Sequence, residues 1–301
     1  MKQVNIKLKE LFQKRDKLRK QGLFDKADKI RKQIEDLGFI VADDSNQTII
    51  KEKLEYKKEN NSTFLTIFGG GEISSQGRQI HEYIFKKINK NPISITLITT
   101  PAGFQPNVQR VYEEIGQFFE SHLTNFHPRV KILYANSLNE ANDQQIVQQL
   151  NDTDYIFIGP GSPTYAVNHL KNTLLFKAII EKMKTGTSLA LSSAGAIAFS
   201  RFCLPVYEIY KVGEPLHWID GLNFYTHFYK KLTAVPHFDN NEGGKKNDTS
   251  CCWMGKTRFK ALRSLLPNDE AVIGIDEHTA LIIDAKNQKE ITIGKGSSHL
   301  L

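Results

Sequence analysis

With 301 residues, 40% of them hydrophobic and 24% charged, the chain has the make-up of an ordinary globular protein, long enough for one large domain and an appendage. No apolar run approaches the ~20 residues that span a bilayer, and the charged N-terminal stretch lacks a signal-peptide core, so a cytoplasmic protein with no membrane partner is expected. Three cysteines, two of them adjacent, exclude a disulfide framework and offer no metal-ligand spacing; reduced thiols and no cofactor are expected.

The net charge of +7 is unevenly spread. Residues 1–33 carry 12 Lys/Arg against 4 Asp/Glu, a net of +8, which leaves the remainder close to neutral. A basic tail on a neutral body suits either an anionic partner or simply a solvated helical face. Leu8, Leu11, Phe12 and Leu18 give residues 5–20 one apolar stripe at helical spacing, and Gly22 breaks it. A second helix is predicted from about Asp25, with Ala27, Ile30, Ile34 and Leu37 on one face and Gly38 as its cap. Residues 43–62 read as a linker containing a short extended piece, Thr48-Ile49-Ile50. A boundary near residue 60 divides the chain into 1–60 and 61–301.

The run Arg15-Asp16, Phe24-Asp25-Lys26-Ala27-Asp28-Lys29-Ile30-Arg31, Leu37-Gly38-Phe39 and Asp43-Asp44 resembles the C-terminal tail of cysteinyl-tRNA synthetases. The resemblance implies tRNA or other RNA contact through Arg15, Lys17, Arg19, Lys20, Arg31 and Lys32. The catalytic body of a synthetase is absent, and a docking module or a homodimer contact is the alternative use of such a hairpin.

From residue 64 strands and helices alternate, which predicts an α/β fold: a doubly wound, mostly parallel sheet flanked by helices, preceded by the small helical hairpin. The expected strands are Phe64–Phe68, Ile93–Ile98, Val130–Tyr134, Tyr155–Ile158, Ser188–Leu191, Leu232–Val235 and Ala271–Ile275, with a closing hairpin at Ala280–Asp284 and Glu290–Ile293. Helical patterns fall near Gln79–Ile88, Asn107–Phe119, Gln144–Leu150, Ala166–Met183 and Thr257–Leu266. Gly69-Gly70-Gly71 lacks the G-x-G-x-x-G spacing of a dinucleotide site and reads as a tight turn under an active-site floor.

The stretch around Ser193 carries the chemistry. A short apolar strand, Ser188–Leu191, gives way abruptly to Ser192-Ser193-Ala194-Gly195-Ala196. Small residues around a serine at a strand-to-helix turn are the layout of a nucleophile elbow; a buried strand packed on a close helix would look the same. His237 and Glu277 follow two further predicted strands. An imidazole can take the serine proton, and a carboxylate on its far nitrogen fixes the tautomer. Asp276 is the alternative carboxylate, and metal binding by His237, His278 and the cysteine pair is the alternative use of the histidines.

Three motifs in this order resemble the dipeptidase E and cyanophycinase family of serine peptidases, which share a class I glutamine amidotransferase-like fold: Ser192–Ala196, Val235-Pro236-His237-Phe238 and Gly274-Ile275-Asp276-Glu277-His278-Thr279-Ala280-Leu281. The resemblance implies Ser193 as nucleophile, His237 as general base and Glu277 as the orienting acid. It also implies a small aspartyl peptide or conjugate as substrate, cleaved at an amide bond through an acyl-enzyme. Lys211, Arg201 and Arg258 are the candidate cations for the substrate carboxylate. Two departures stand out. Leu191 occupies the usual elbow glycine, and the oxyanion loop reads Gly159-Pro160-Gly161-Ser162, so with no N–H on Pro160 the donors fall to Gly161 and Ala194. These departures, with the basic hairpin, keep a rival open: a non-catalytic ligand-binding or RNA-associated regulatory protein. Cysteine amidotransferase chemistry is disfavoured, because the elbow residue is serine.

Overall fold

The computed structural model describes the backbone of residues 2–36, 39–44, 47–52 and 63–301, and the side chains of residues 10–34 and 63–301. It divides into two compact units, Met1–Asn60 and Asn61–Leu301.

In the first unit, α1 (Lys2–Lys20) and α2 (Phe24–Asp36) form a helical pair, with Gly22 at φ +74° in the turn. Ala27, Ile30 and Ile34 are buried, as their spacing predicts. The strands β1 (Phe39–Asp44) and β2 (Gln47–Glu52) follow as an antiparallel hairpin, Phe39 opposite Glu52 and Asp44 opposite Gln47. Part of the segment expected to be a linker is therefore paired strand. The cap expected at Gly38 and residues 53–62 lie outside the described residues.

The second unit is built on a seven-stranded sheet. Its strands are β3 (Phe64–Phe68), β4 (Ser94–Ile98), β5 (Arg129–Leu133), β6 (Tyr155–Ile158), β7 (Ser188–Ser192) and, from the C-terminal part of the chain, β12 (Thr279–Asp284) and β13 (Lys289–Gly294). The order across the sheet is β13-β12-β3-β7-β6-β4-β5, parallel from β3 to β5 and antiparallel at β12 and β13. Strands β3, β6 and β7 are buried along their whole length, because helices cover both faces. These helices are α3 (Ser75–Ile88), α4 (Val108–His122), the short α5 (Leu138–Ala141) and α6 (Gln144–Gln148), then α7 (Pro163–Leu170) and α8 (Leu174–Lys184). Two hydrophobic clusters result, one containing Ile67, Ile158 and Leu191 and the other Phe68, Phe85, Phe119 and Phe157. The single helical stretch expected over Ala166–Met183 is two helices: Asn172 sits at φ +64° and Thr173 caps α8.

Beyond β7 come α9 (Ala194–Ala198) and a small antiparallel pair, β8 (Phe202–Cys203) and β9 (Ile219–Asp220). The strands β10 (Leu232–Val235) and β11 (Ala271–Ile275), with α10 (Gly255–Ser264) between them, do not join the main sheet. They form a separate three-stranded sheet with β14 (Ser298–Leu300), in the order β10-β11-β14. The two sheets meet at their carboxyl ends, where the His237 amide donates to the carbonyl of Gly69 at 2.7 Å and the His278 amide to that of Gly70 at 3.0 Å.

Candidate active site

Ser193 sits in the turn from β7 into α9, at φ +50°, ψ −116°. A non-glycine residue there carries strain of roughly 1–3 kcal/mol, which the buried strand below and the helix above must hold in place. The elbow packs closely: the Gly195 amide donates to the Gly159 carbonyl at 3.2 Å, and a Cβ on Gly195 would lie 2.6 Å from the Ile158 carbonyl oxygen. Leu191 needs no such room. It lies within the strand, paired with Ile67 on one side and Ile158 on the other, and is fully buried.

His237 follows β10 and Glu277 follows β11. The Ser193 hydroxyl stands 3.0 Å from His237 Nε2, and His237 Nδ1 stands 2.8 Å from Glu277 Oε1. The same carboxylate oxygen accepts from Asn240 Nδ2 at 3.0 Å, and the Glu277 amide donates to Asp239 Oδ1 at 2.7 Å. An ionised carboxylate only accepts, so Nδ1 carries the proton and the Nε2 lone pair faces the serine hydroxyl. The hydrogen bond from His237, followed in effect by that from Asn240, holds the Glu277 carboxyl below its ordinary range against the opposing effect of burial. The side chains are 15% (His237) and 30% (Glu277) exposed, so the relay is half-open to solvent and approachable by a ligand.

The surroundings fix the imidazole from several sides. A Cβ on Gly70 would lie 2.8 Å from His237 Cε1, so the middle residue of the triple glycine is the floor against which the ring rests. Trp253 packs on the ring with centroids 4.8 Å apart. It is presented by a left-handed turn in which Cys251, Cys252 and Trp253 have φ of +52°, +58° and +63°. That conformation is costly for side-chain-bearing residues and is held by amide bonds from Cys251 to the Phe238 carbonyl and from Cys252 to the His237 carbonyl. Beneath the elbow, the Ser192 hydroxyl donates to the Glu72 carboxylate at 2.9 Å. Sequence reasoning did not single out Asn240, Trp253 or Glu72; only the triple glycine carried a local signal.

Other anticipated residues are distributed unevenly. Gly161 (φ +148°) lies in the loop after β6, where the Ser162 amide donates to the Pro101 carbonyl; the loop is stitched to the elbow through Gly159. Among the described residues, the amides of Gly161 and Ala194 take no acceptor. Arg201 is not at the site. It binds the fully buried carboxylate of Glu270 at 3.0 Å, beside the amino-terminal ends of β10 and β11, whereas His237 and Glu277 lie at the carboxyl ends. Arg258 and Lys211 both approach the Tyr210 ring, at 5.9 and 5.1 Å, and Arg258 donates to the carbonyls of Met254 and Trp253. Asp276 turns away from His237 and meets His299 Nε2 at 3.0 Å; His278 Nδ1 meets Ser74 Oγ at 3.2 Å. The three thiols are free and buried, and burial pushes those of Cys251 and Cys252 up. Among the described residues no group of three or more His, Cys, Asp and Glu is placed to hold a metal ion, and no helix is long and apolar enough to cross a membrane.

In the N-terminal helices, Arg15 is 1% exposed, so its guanidinium is not available to an RNA. Lys17, Lys20, Arg31 and Lys32 are exposed, and Arg19 lies over the Phe24 ring at 5.8 Å.

A doubly wound sheet bearing a serine elbow, with histidine and glutamate brought to it from neighbouring strand ends, belongs to the hydrolytic α/β enzymes of serine type. The chain belongs to peptidase family S51, whose family model matches residues 65–291; this is the dipeptidase E family of serine-type peptidases. The fold is also that of solved structures. A peptidase from an acI-B1 Actinobacterium is 22% identical with a TM-score of 0.58, covering 80% of this chain and 97% of its own. A putative peptidase E protein from Listeria monocytogenes EGD-e is 18% identical with a TM-score of 0.53, covering 78% of this chain and 100% of its own. No curated protein sequence matches the chain.

Proposed function

We propose that this serine peptidase cleaves an amide bond of a small aspartyl peptide or conjugate through an acyl-enzyme. The observation that carries the reading is the unbroken relay from Ser193 to His237 to Glu277, at 3.0 and 2.8 Å. Ser193 Oγ attacks the scissile carbonyl carbon as its proton passes to His237 Nε2, and Glu277 stabilises the imidazolium that forms. The amides of Gly161 and Ala194 receive the oxyanion. Collapse breaks the C–N bond, and the imidazolium proton goes to the leaving amine. Water then attacks the ester, its proton returning through His237, and the acid product leaves Ser193 free. Lys211 and Arg258 hold the substrate carboxylate in this reading; both flank Tyr210, and Arg258 is bound to the carbonyl of the tryptophan that packs on His237. The buried free thiols fit action in the reducing cytoplasm.

Hydrolysis of a panel of aspartyl dipeptides and isoaspartyl conjugates by wild type and Ser193→Ala, side by side, tests this. Turnover by wild type alone is expected; equal turnover by the variant refutes it.

For the N-terminal unit we propose RNA contact through Lys17, Lys20, Arg31 and Lys32, a role supported by their exposure on a basic helical pair. Affinity for tRNA that falls steeply with salt and disappears on removal of residues 1–60 is the expected result. Salt-independent binding, or binding retained by the truncated chain, would count against it.

A further inference from the structure

A cleft of about 540 Å³ opens beside the relay. One wall comes from the segment after β4 (Phe104) and another from the segment after β6 (Ser162, Thr164 and Tyr165); Tyr207 and Glu208 close it. The position follows from the winding. The chain leaves β4 to form β5 on one side and returns to form β6 on the other, so β4 and β6 flank the point where the strand order reverses. Crevices at such points, at the carboxyl ends of the strands, are where open α/β sheets bind ligands. Two walls adjoin the candidate chemistry. Ser162 directly follows Gly161. The Tyr207 hydroxyl is raised by burial and by nearby Cys252, whose amide is bound to the His237 carbonyl.

The lining is aromatic and carries one sign of charge. The Phe104 and Tyr165 rings lie 5.3 Å apart, and Phe104 and Tyr207 are 49% and 40% exposed. Glu208 is the only charged residue among the described lining residues. No Lys, Arg or His pairs with it among the described residues, and its Oε2 has neither solvent contact nor a hydrogen-bond partner. Thr164 Oγ1, in the same lining, is also without a partner. A half-buried carboxylate left uncompensated is costly, and a carboxylate can only accept. The group that satisfies it is a cationic N–H donor, and electron-rich ring faces attract the same group.

We infer that this cleft is a cation subsite: Glu208, with the rings of Phe104, Tyr165 and Tyr207, takes an ammonium or guanidinium group of the substrate beside the scissile bond. The inference rests on the hydrolase reading above and adds to it the charge of the group next to the cleaved amide. Its source is either the free α-ammonium of the peptide or a basic side chain.

Calorimetric titration of the Ser193→Ala protein separates these without turnover. The probes are aspartyl-alanine, N-acetyl-aspartyl-alanine and N-acetyl-aspartyl-lysine. One of the two cationic peptides is expected to bind 10- to 100-fold more tightly than the neutral-ended N-acetyl-aspartyl-alanine. Preference for aspartyl-alanine assigns the α-ammonium, and preference for the lysine peptide assigns the side chain. Adding Glu208→Gln, which is nearly isosteric, is expected to erase that preference, and Tyr207→Leu to reduce it several-fold; thermal melting verifies that both remain folded. Equal binding of all three peptides, binding of none, or a preference that survives Glu208→Gln overturns the inference. Phosphonylation of Ser193 in the wild-type protein reports on the hydrolase reading separately, so failure of one is distinguishable from failure of the other.

Discussion

Replacing Gly70 by alanine probes whether the relay works as a positioned unit. The new methyl group would lie 2.8 Å from His237 Cε1, 3.0 Å from His237 Nδ1 and 3.7 Å from Glu277 Cγ. Carbon atoms in ordinary contact sit about 3.5–4.0 Å apart, so the imidazole must withdraw by roughly 0.7–1 Å. It cannot do so and keep both partners, since Ser193 and Glu277 hold opposite edges of the ring at 3.0 and 2.8 Å. A misplacement of that size costs on the order of 10²-fold in rate. Gly70 also sits at φ +134°, so alanine adds backbone strain of about 1–3 kcal/mol. Gly186→Ala separates the two effects: its φ is +110° and nothing lies within 4 Å of the new methyl group. The assay is the second-order rate of Ser193 modification by a fluorophosphonate, with thermal unfolding measured in parallel. Gly70→Ala is expected to slow modification about 10²-fold, while Gly186→Ala loses stability and keeps the wild-type rate. A folded Gly70→Ala protein that reacts within two- or three-fold of wild type would refute the packing argument.

Two further outcomes are expected. Glu277→Gln retains the volume but not the charge that stabilises a protonated His237, and should lower hydrolysis by roughly 10²–10⁴-fold while leaving the melting temperature near that of wild type at neutral pH; a change below ten-fold would remove Glu277 from the relay. Burial pulls the His81 imidazole from 6.5 to about 3. The folded state thus binds its proton less readily than the unfolded chain. This stability is fully present above pH 6.5 and is lost as pH falls from 6.5 towards 3, a contribution of about 5 kcal/mol. His81→Gln should flatten the fall in melting temperature across that window, and an unchanged pH profile would contradict the assignment.

What could be read from the sequence was what local pattern encodes. Small residues after an apolar strand announced the turn at Ser193, and two more strand ends placed His237 and Glu277. That β10 and β11 leave the main sheet was not readable, because a short buried strand has the same composition in either sheet. Arg201 looked like a substrate ligand only because Glu270, its buried partner, lies 69 residues away. Arg15 sits in a run of exposed-type residues and is nevertheless buried. Residues 39–52 read as a linker because their charges masked the β-branched pairs that the hairpin aligns. Asn240 and Trp253 gained their places from the folding of a loop onto His237, which no spacing along the chain reveals.

The central claim is that Ser193 is the nucleophile. Its most direct test is to treat the full-length protein with a fluorophosphonate and locate the adduct by peptide mass spectrometry. The account predicts one stoichiometric adduct on Ser193, absent from Ser193→Ala and greatly slowed when His237 is replaced by Gln. An adduct on another residue, or no adduct on a folded protein, would contradict it.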